Sequence, residues 1–234
     1  LREAIRRGVL RGAALRQELL RLAPPMAVSP LSCGATLGVD AHDDGGYDAL
    51  DALVSGVFLD EPPPATARPE LHGWNPEMVP YQPTPARVVL ALCERLRSDE
   101  VLCDLGSGLG QVCVLAHVLV GVCSVGLEID PLLCAYAARL AQRLELSGVT
   151  FHAADARDAD LPRGATFFLY TPFKGTLLEQ VLGRLRELAT DQPLRVASYG
   201  PCTPVVARQP WLFPEGEAHA DPNRLALFRT EAHG

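Results

Sequence analysis

Several features are scarce in these 234 residues, and each scarcity excludes a class of protein. The longest apolar run, Val112 to Leu127, is interrupted at Gly121 and falls short of the roughly 20 residues a membrane helix needs. No secretory leader pattern opens the chain, because six arginines (2, 6, 7, 11, 16 and 21) are spread through its first turns. The seven cysteines (33, 93, 103, 113, 123, 134 and 202) form no CxxC pair and no zinc-ligand spacing. Several of them lie inside apolar runs, as small buried hydrophobes do, and an odd count without a framework points to a reducing, cytoplasmic setting. The six histidines (42, 72, 117, 152, 219 and 233) show no ligand spacing, so no metal is expected, and His117 reads as structural. Basic charge is short too: a net charge of -7 argues against nucleic acid and leaves a cationic or neutral partner open.

With 48% hydrophobic and 21% charged residues, the composition is that of an ordinary soluble globular protein with one large domain or a domain plus an appendage. Residues 2 to 22 predict a helix stopped by Pro24-Pro25, with Ile5, Val9, Ala13 and Leu20 on an apolar arc that Arg2 and Arg16 share; its basic side reads as a solvated face, with an anionic surface or partner as the alternative. Residues 40 to 46 read as a loop, and Tyr47, Leu50, Val54 and Val57 then share one helical face. Asp43, Asp44, Asp48 and Asp51 lack calcium-loop spacing and read as solvated helix-start acids. "DEPPPATARPE" is a proline-rich linker. The expected organisation is a helical N-terminal region and linker over 1–64, followed by the main domain over 65–234.

Beyond that linker the pattern turns regular. Thr84 is placed to cap a helix beginning at Pro85, with Val88, Val89, Leu92 and Leu96 as its buried stripe. Strands are predicted at 100–105, 122–128, 148–153, 165–170 and 193–199, and helices at 109–120, 131–146 and 174–189. "PWLFPE" and "RLALFRTE" close the chain as two more strands. Alternating strands and helices imply an α/β fold. Its form would be a doubly wound, mostly parallel seven-strand sheet with a C-terminal antiparallel hairpin.

In such a sheet, ligands bind at the carboxyl ends of the strands, near the switch in strand order. "VLCDLGSGLG" (101–110) sits at such an end and leads into a helix. A dinucleotide fingerprint GxGxxG starting at Gly106 would put glycine at 111, where Gln111 stands, and glycine appears at 110 instead. Its companions are Glu128, which ends the second strand, and Asp155, which follows the third. A carboxylate at 128 offers two oxygens to the hydroxyls of a ribose. Asp155 is placed to accept from an adenine amino group, with the Ala156 N–H reaching a ring nitrogen.

With these residues the chain resembles the class I, seven-strand S-adenosylmethionine (SAM)-dependent methyltransferases over roughly residues 80 to 230. "PYQPTPARVV", "DLGSGLGQV" and "FFLYTPF" narrow the resemblance to the non-SET protein lysine methyltransferases. The resemblance implies SAM as cofactor, held by Asp104, Gly106, Ser107, Gly108, Gly110 and Gln111, by Glu128, and by Asp155 and Ala156. It also implies that Tyr81 and Thr84, upstream of the core, line the same site. Enzymes that methylate exocyclic or amide nitrogens often carry Asn/Asp-Pro-Pro-Tyr/Phe after the fourth strand. Tyr170-Thr171-Pro172-Phe173 lacks that leading amide or carboxylate, which counts against nucleobase and glutamine acceptors and leaves no obvious general base.

The expected reaction is methyl transfer to an amine, with protein lysine as its narrower form. Tyr81 and Tyr170 are the residues expected to act at the acceptor, and Phe173 joins them in an apolar channel; Trp74 and Trp211 read first as packing aromatics, with a place at the channel's border as the alternative. Two alternatives remain open: a small-molecule N- or O-methyltransferase, and a binding module that keeps the fold without turnover. The expected partner is therefore a protein or small-molecule acceptor, with no membrane and no nucleic acid.

Overall fold

The computed structural model describes residues 1–22, 49–58, 64, 75–216 and 220–231. The 40–46 loop, Tyr47, Asp43, Asp44, Asp48, Trp74, most of the proline-rich linker and the expected boundary at 64/65 lie outside the described residues, apart from Pro64 itself.

Five strands run parallel: β1 (Val101–Leu105), β2 (Cys123–Glu128), β3 (Val149–Ala153), β4 (Ala165–Tyr170) and β5 (Arg195–Tyr199). Two C-terminal strands, β6 (Phe213–Pro214) and β7 (Ala226–Arg229), complete a seven-stranded sheet in the order β3-β2-β1-β4-β5-β7-β6. β7 pairs antiparallel with β5, and β6 antiparallel with β7, so the predicted antiparallel ending is present. Strand order reverses between β1 and β4, which creates a crevice at their carboxyl ends.

Both faces of the sheet are covered, and the period-two alternation of strands divides their side chains between two cores. Ala165, Phe167 and Leu169 of β4 face α7 (Gly175–Leu188) and α8 (Thr203–Ala207), whereas Phe168 joins the opposite core. That opposite core is built by α4 (Ala86–Cys93), α5 (Gln111–Val120) and α6 (Pro131–Arg143). In β1, Leu102 belongs to this second core, so the alternation turns Asp104 toward the same side as α5. His117, half-buried in α5, sets Nδ1 2.9 Å from the Val122 carbonyl and packs its ring on Gly148, a structural role.

Three N-terminal helices extend the α5 side: α1 (Arg2–Arg6), α2 (Gly12–Leu22) and α3 (Ala49–Phe58). Ile5, Leu15, Leu19, Leu50, Val54 and Phe58 are buried in one core with Val112 and Leu115 of α5. The single helix expected over 2–22 is therefore corrected to two. Gly8 and Gly12 both take positive φ (71° and 56°), and the break moves the apolar arc. Ile5 stays buried, but Leu15 and Leu19 replace Ala13 and Leu20, and Val9 is 78% exposed. The arginines do more than solvate: Arg2 donates to the Val57 and Gly56 carbonyls at the end of α3, Arg6 pairs with Glu145 at 2.7 Å, and Arg16 with Glu94.

The cap of α4 is a second correction. The helix starts at Ala86, and the Ala86 N–H donates to Asp51 Oδ1 at 2.6 Å. Pro85 has no N–H to offer, and the buried Asp51 carboxylate of α3 supplies the acceptor in place of Thr84. Asp51 is thus a buried cap, not a solvated helix-start acid. Two smaller differences concern the C-terminal region: α8 falls where no helix was expected, and β6 is two residues long.

Candidate functional site

A cleft opens at the carboxyl ends of β1, β2, β3 and β4, where the sheet reverses its order. Of the residues expected from sequence, its walls include Tyr81, Thr84, Asp104, Gly106, Ser107, Gln111, Glu128, Asp155, Ala156 and Tyr170. Gly108 and Gly110 do not line it. A Cβ at Gly108 (φ 53°) would fall into the Tyr81 ring, so this glycine lets an aromatic side chain lie directly on the turn. Gly110 precedes α5 at φ 80°, and a Cβ there would meet Phe151 and Ala137, so it serves the packing of strand and helix.

The glycine turn spends its backbone donors internally. Gly106 N and Ser107 N both donate to the Leu127 carbonyl, at 2.8 and 2.9 Å. Gly108 N donates to Glu128 Oε2 at 2.7 Å, and Gly110 N to the Ser107 carbonyl at 2.8 Å. Asp130 N donates to the other Glu128 oxygen at 2.9 Å. The Glu128 carboxylate thus ties the turn after β1 to the turn after β2. Phosphate-binding turns work in the opposite way, by aiming free N–H groups at the ligand.

Among the described residues that line the cleft, the acids outnumber the bases. Asp104, Glu128, Asp130 and Asp155 all line it. Asp104 is 3% exposed, and burial together with the neighbouring Glu128 charge pushes its pKa up to about 8. Burial likewise raises Glu128, opposed by the N–H groups of Asp130 and Gly108. Asp155 behaves differently. Burial pushes it upward, but the Arg157 side chain and backbone outweigh that and hold it below the ordinary aspartate range. Both Asp155 oxygens accept from Arg157, at 2.6–3.0 Å, so an adenine amino group would have to share them.

Buried polar atoms without partners gather around the same walls. Tyr81 Oη, Ser107 Oγ, Gln111 Oε1 and Asp130 Oδ2 have none, and all four residues line the cleft. Native interiors leave few such atoms, so four around one cavity mark where a polar ligand completes the bonding. These residues and Glu128 fit a nucleoside-bearing cation.

The β4 side of the cleft is apolar, formed by Met78, Val79, Pro80, Pro172 and Phe173 with Tyr170, and Pro172 stands directly against Gly106 of the glycine turn. A strap over 75–84 makes half of it and is pinned across the chain. Val79 N donates to the Pro172 carbonyl at 2.9 Å, and Met78 bridges Phe173. Glu77 caps α7 from nearly 100 positions away, accepting from Thr176 N at 3.1 Å and Leu177 N at 2.9 Å. Tyr170 stands against Tyr199 with ring centroids 5.1 Å apart. Thr171 holds φ 41°, a left-handed conformation unusual for a β-branched residue. Its Oγ1 donates to the Tyr199 carbonyl at 3.2 Å and accepts from Cys202 N at 3.1 Å.

Sequence reasoning missed Asp130, Glu77, Met78 and Thr171. Asp130-Pro131 is a legible helix start, and Asp130 does cap α6 through Leu132 N at 2.8 Å. Glu77 and Thr171 act through distant or strained backbone and carry no local signal. Trp211 lies away from the cleft, in a groove with Arg186 and Phe213, so it does not border the channel.

No family model and no curated protein matches the chain. Solved structures with similar folds include an RNA methyltransferase from Salinibacter ruber in complex with S-adenosyl-L-homocysteine. It is 24% identical, with 64% of this chain and 92% of that one covered, at a TM-score of 0.45. A magnesium protoporphyrin IX methyltransferase from Synechocystis with bound SAM is 16% identical, with 62% and 76% covered, at 0.43. The putative methyltransferase YhhF from Escherichia coli is 19% identical, with 67% and 91% covered, at 0.49. At such identities and TM-scores the likeness carries neither activity nor acceptor from those proteins to this chain.

Proposed function

We propose that the chain is a SAM-dependent methyltransferase acting on an amine, with protein lysine as the narrower form of that acceptor. The observation that carries the reading is the polar end of the cleft. Four carboxyl groups line it, the Arg157 guanidinium beside it is committed to Asp155 and that of Arg184 to the Ala156 and Ala159 carbonyls, and the N–H groups at 106, 107, 108 and 110 are already bonded. A dinucleotide pyrophosphate would find like charge and none of these four donors. A ligand with positive charge and hydroxyl donors is complementary to the same walls.

The residues to hold SAM are Asp104, Gly106, Ser107, Gln111, Glu128, Asp155 and Ala156, with Tyr81 and Thr84 from the strap. A sulfonium bound there supplies a methyl group that is already activated. The remaining work is positional. Tyr170, Phe173 and Met78 form a mouth that admits a thin chain and disfavours an ammonium, which favours the neutral, nucleophilic amine. Holding that nitrogen in line with the donor is where the rate enhancement arises.

Calorimetry with SAM and with NAD tests the cofactor: tight NAD binding without SAM binding would overturn the reading. A cell lysate supplied with methyl-labelled SAM and the protein then tests the acceptor. Labelled protein supports the lysine form, a labelled small product supports a small-molecule acceptor, and no label at all rejects catalysis.

A further inference from the structure

Three acids at the rim of the cleft differ in what their oxygens already do. Both Glu128 oxygens accept backbone N–H groups, and both Asp155 oxygens accept from Arg157. Asp130 uses only one: Oδ1 caps α6 through Leu132 N, while Oδ2 has no partner although the residue is only 4% exposed. Its orientation is fixed, because the cap bond, the following Pro131 and the bond from its own N–H to Glu128 Oε1 hold it from three sides. A buried carboxylate oxygen left without a donor is costly, so a donor belongs to the complete site.

We infer that Asp130 is a second carboxylate for the ribose of the bound nucleoside. Its Oδ2 accepts one hydroxyl of the vicinal diol while Glu128 takes the other. The inference rests on the proposed function, since it presumes a nucleoside ligand in this cleft. It also accounts for two adjacent carboxyl groups: two hydroxyls supply one donor to each, and no proton need move.

The test uses S-adenosyl-L-homocysteine, which cannot turn over, and its analogues lacking the 2′- or the 3′-hydroxyl. Binding of each is measured by calorimetry on the wild type, Asp130→Asn and Asp130→Ser. Both variants retain an oxygen for the helix cap, and melting of the free proteins checks that the cap survives. The expected result is at least a tenfold loss of affinity in both variants. One of the two deoxy analogues should then bind wild type and variants alike, because its missing hydroxyl is the one Asp130 holds. Variant affinity within twofold of wild type overturns the inference. So does a loss of equal size for all three ligands, which would place Asp130 away from the diol. If the wild type fails to bind S-adenosyl-L-homocysteine, the proposed function itself falls and takes this inference with it.

Discussion

The two ends of the cleft are built on opposite principles. At the β1–β2 end, position is set by hydrogen bonds: one carboxylate, Glu128, joins two turns, and the glycine turn has no slack in its bonded donors. At the β4–β5 end, packing and a strained residue join a few bonds: Tyr170 lies against Tyr199, Thr171 is held at positive φ with its Oγ1 bonded on both sides, and Val79 N donates to the Pro172 carbonyl. The first end is suited to a ligand of constant shape. The second has few fixed polar groups and is suited to an acceptor whose identity can vary while the donor stays the same. On this division, substitutions at the first end change SAM affinity, and substitutions at the second change turnover.

The largest effect on affinity is expected from Gly108→Ala. A left-handed alanine costs about 1–2 kcal/mol, and forcing its Cβ into the Tyr81 ring adds roughly 1–3 kcal/mol of overpacking. Melting and SAM calorimetry together should register the sum as lost stability and lost binding. Repeating the change in a Tyr81→Ala background should recover the overpacking share and leave the backbone strain. Equal losses in both backgrounds would show that Tyr81 does not constrain the turn.

Glu128→Ala comes next. Losing hydrogen bonds to a charged group costs about 1.5–3 kcal/mol, on the order of 10- to 150-fold in SAM affinity. The structure adds a reason that sequence alone did not offer: the variant also strands the N–H groups of Gly108 and Asp130. Part of the effect should therefore appear as a lower melting temperature of the free protein. A change in affinity under about twofold, less than half a kcal/mol, would remove Glu128 from the ribose site.

This difference between the ends also explains what the sequence revealed. The β1–β2 end was legible because its elements are local: an acid, three glycines and a helix within a dozen residues, then an acid at the next strand end. The parallel sheet and its antiparallel ending followed from plain alternation of periods, with the five parallel strands bounded within two residues of those expected. What escaped was long-range. Asp51 capping α4 and Glu77 capping α7 span 35 and about 100 positions, and no window of sequence contains both partners. The N-terminal helix was misread for a different reason. Ala13 and Leu20 fit an apolar arc only if Gly8 continues the helix, and its positive φ breaks the phase.

A smaller effect is expected from pH, acting through Asp104. Its pKa of about 8 means that the free protein carries this group protonated at neutrality. A cation bound beside it favours the ionised form, so binding below that value releases a proton, and SAM affinity should rise with pH and level off above about 8. The gain is at most about tenfold per pH unit, the limit for one linked proton. Stability runs the other way: a folded-state pKa above the unfolded value adds stability at low pH, which is lost as pH rises through the folded pKa. Calorimetry in buffers of different ionisation enthalpy counts the proton directly, and Asp104→Asn should abolish the release. An affinity independent of pH from 6 to 9 would show that no cation sits beside Asp104.

The smallest effect on affinity, and the sharpest test of the division, belongs to Tyr170→Ala. Tyr170 lines the β4 side of the cleft and is braced by Tyr199, while the carboxyl groups of Glu128, Asp130 and Asp155 follow β2 and β3. Removing the ring should leave SAM affinity within about twofold, since it takes away none of the hydrogen bonds argued to hold the cofactor. Turnover should fall far more, because an acceptor no longer confined by the ring spends little time in line with the donor. A fall in turnover without a fall in cofactor affinity is the signature of a group that acts on the acceptor in the transition state. Equal losses would put Tyr170 in the cofactor pocket and erase the distinction between the two ends. Undiminished turnover would reduce the ring to packing against Tyr199, and the strain at Thr171 would then need another explanation.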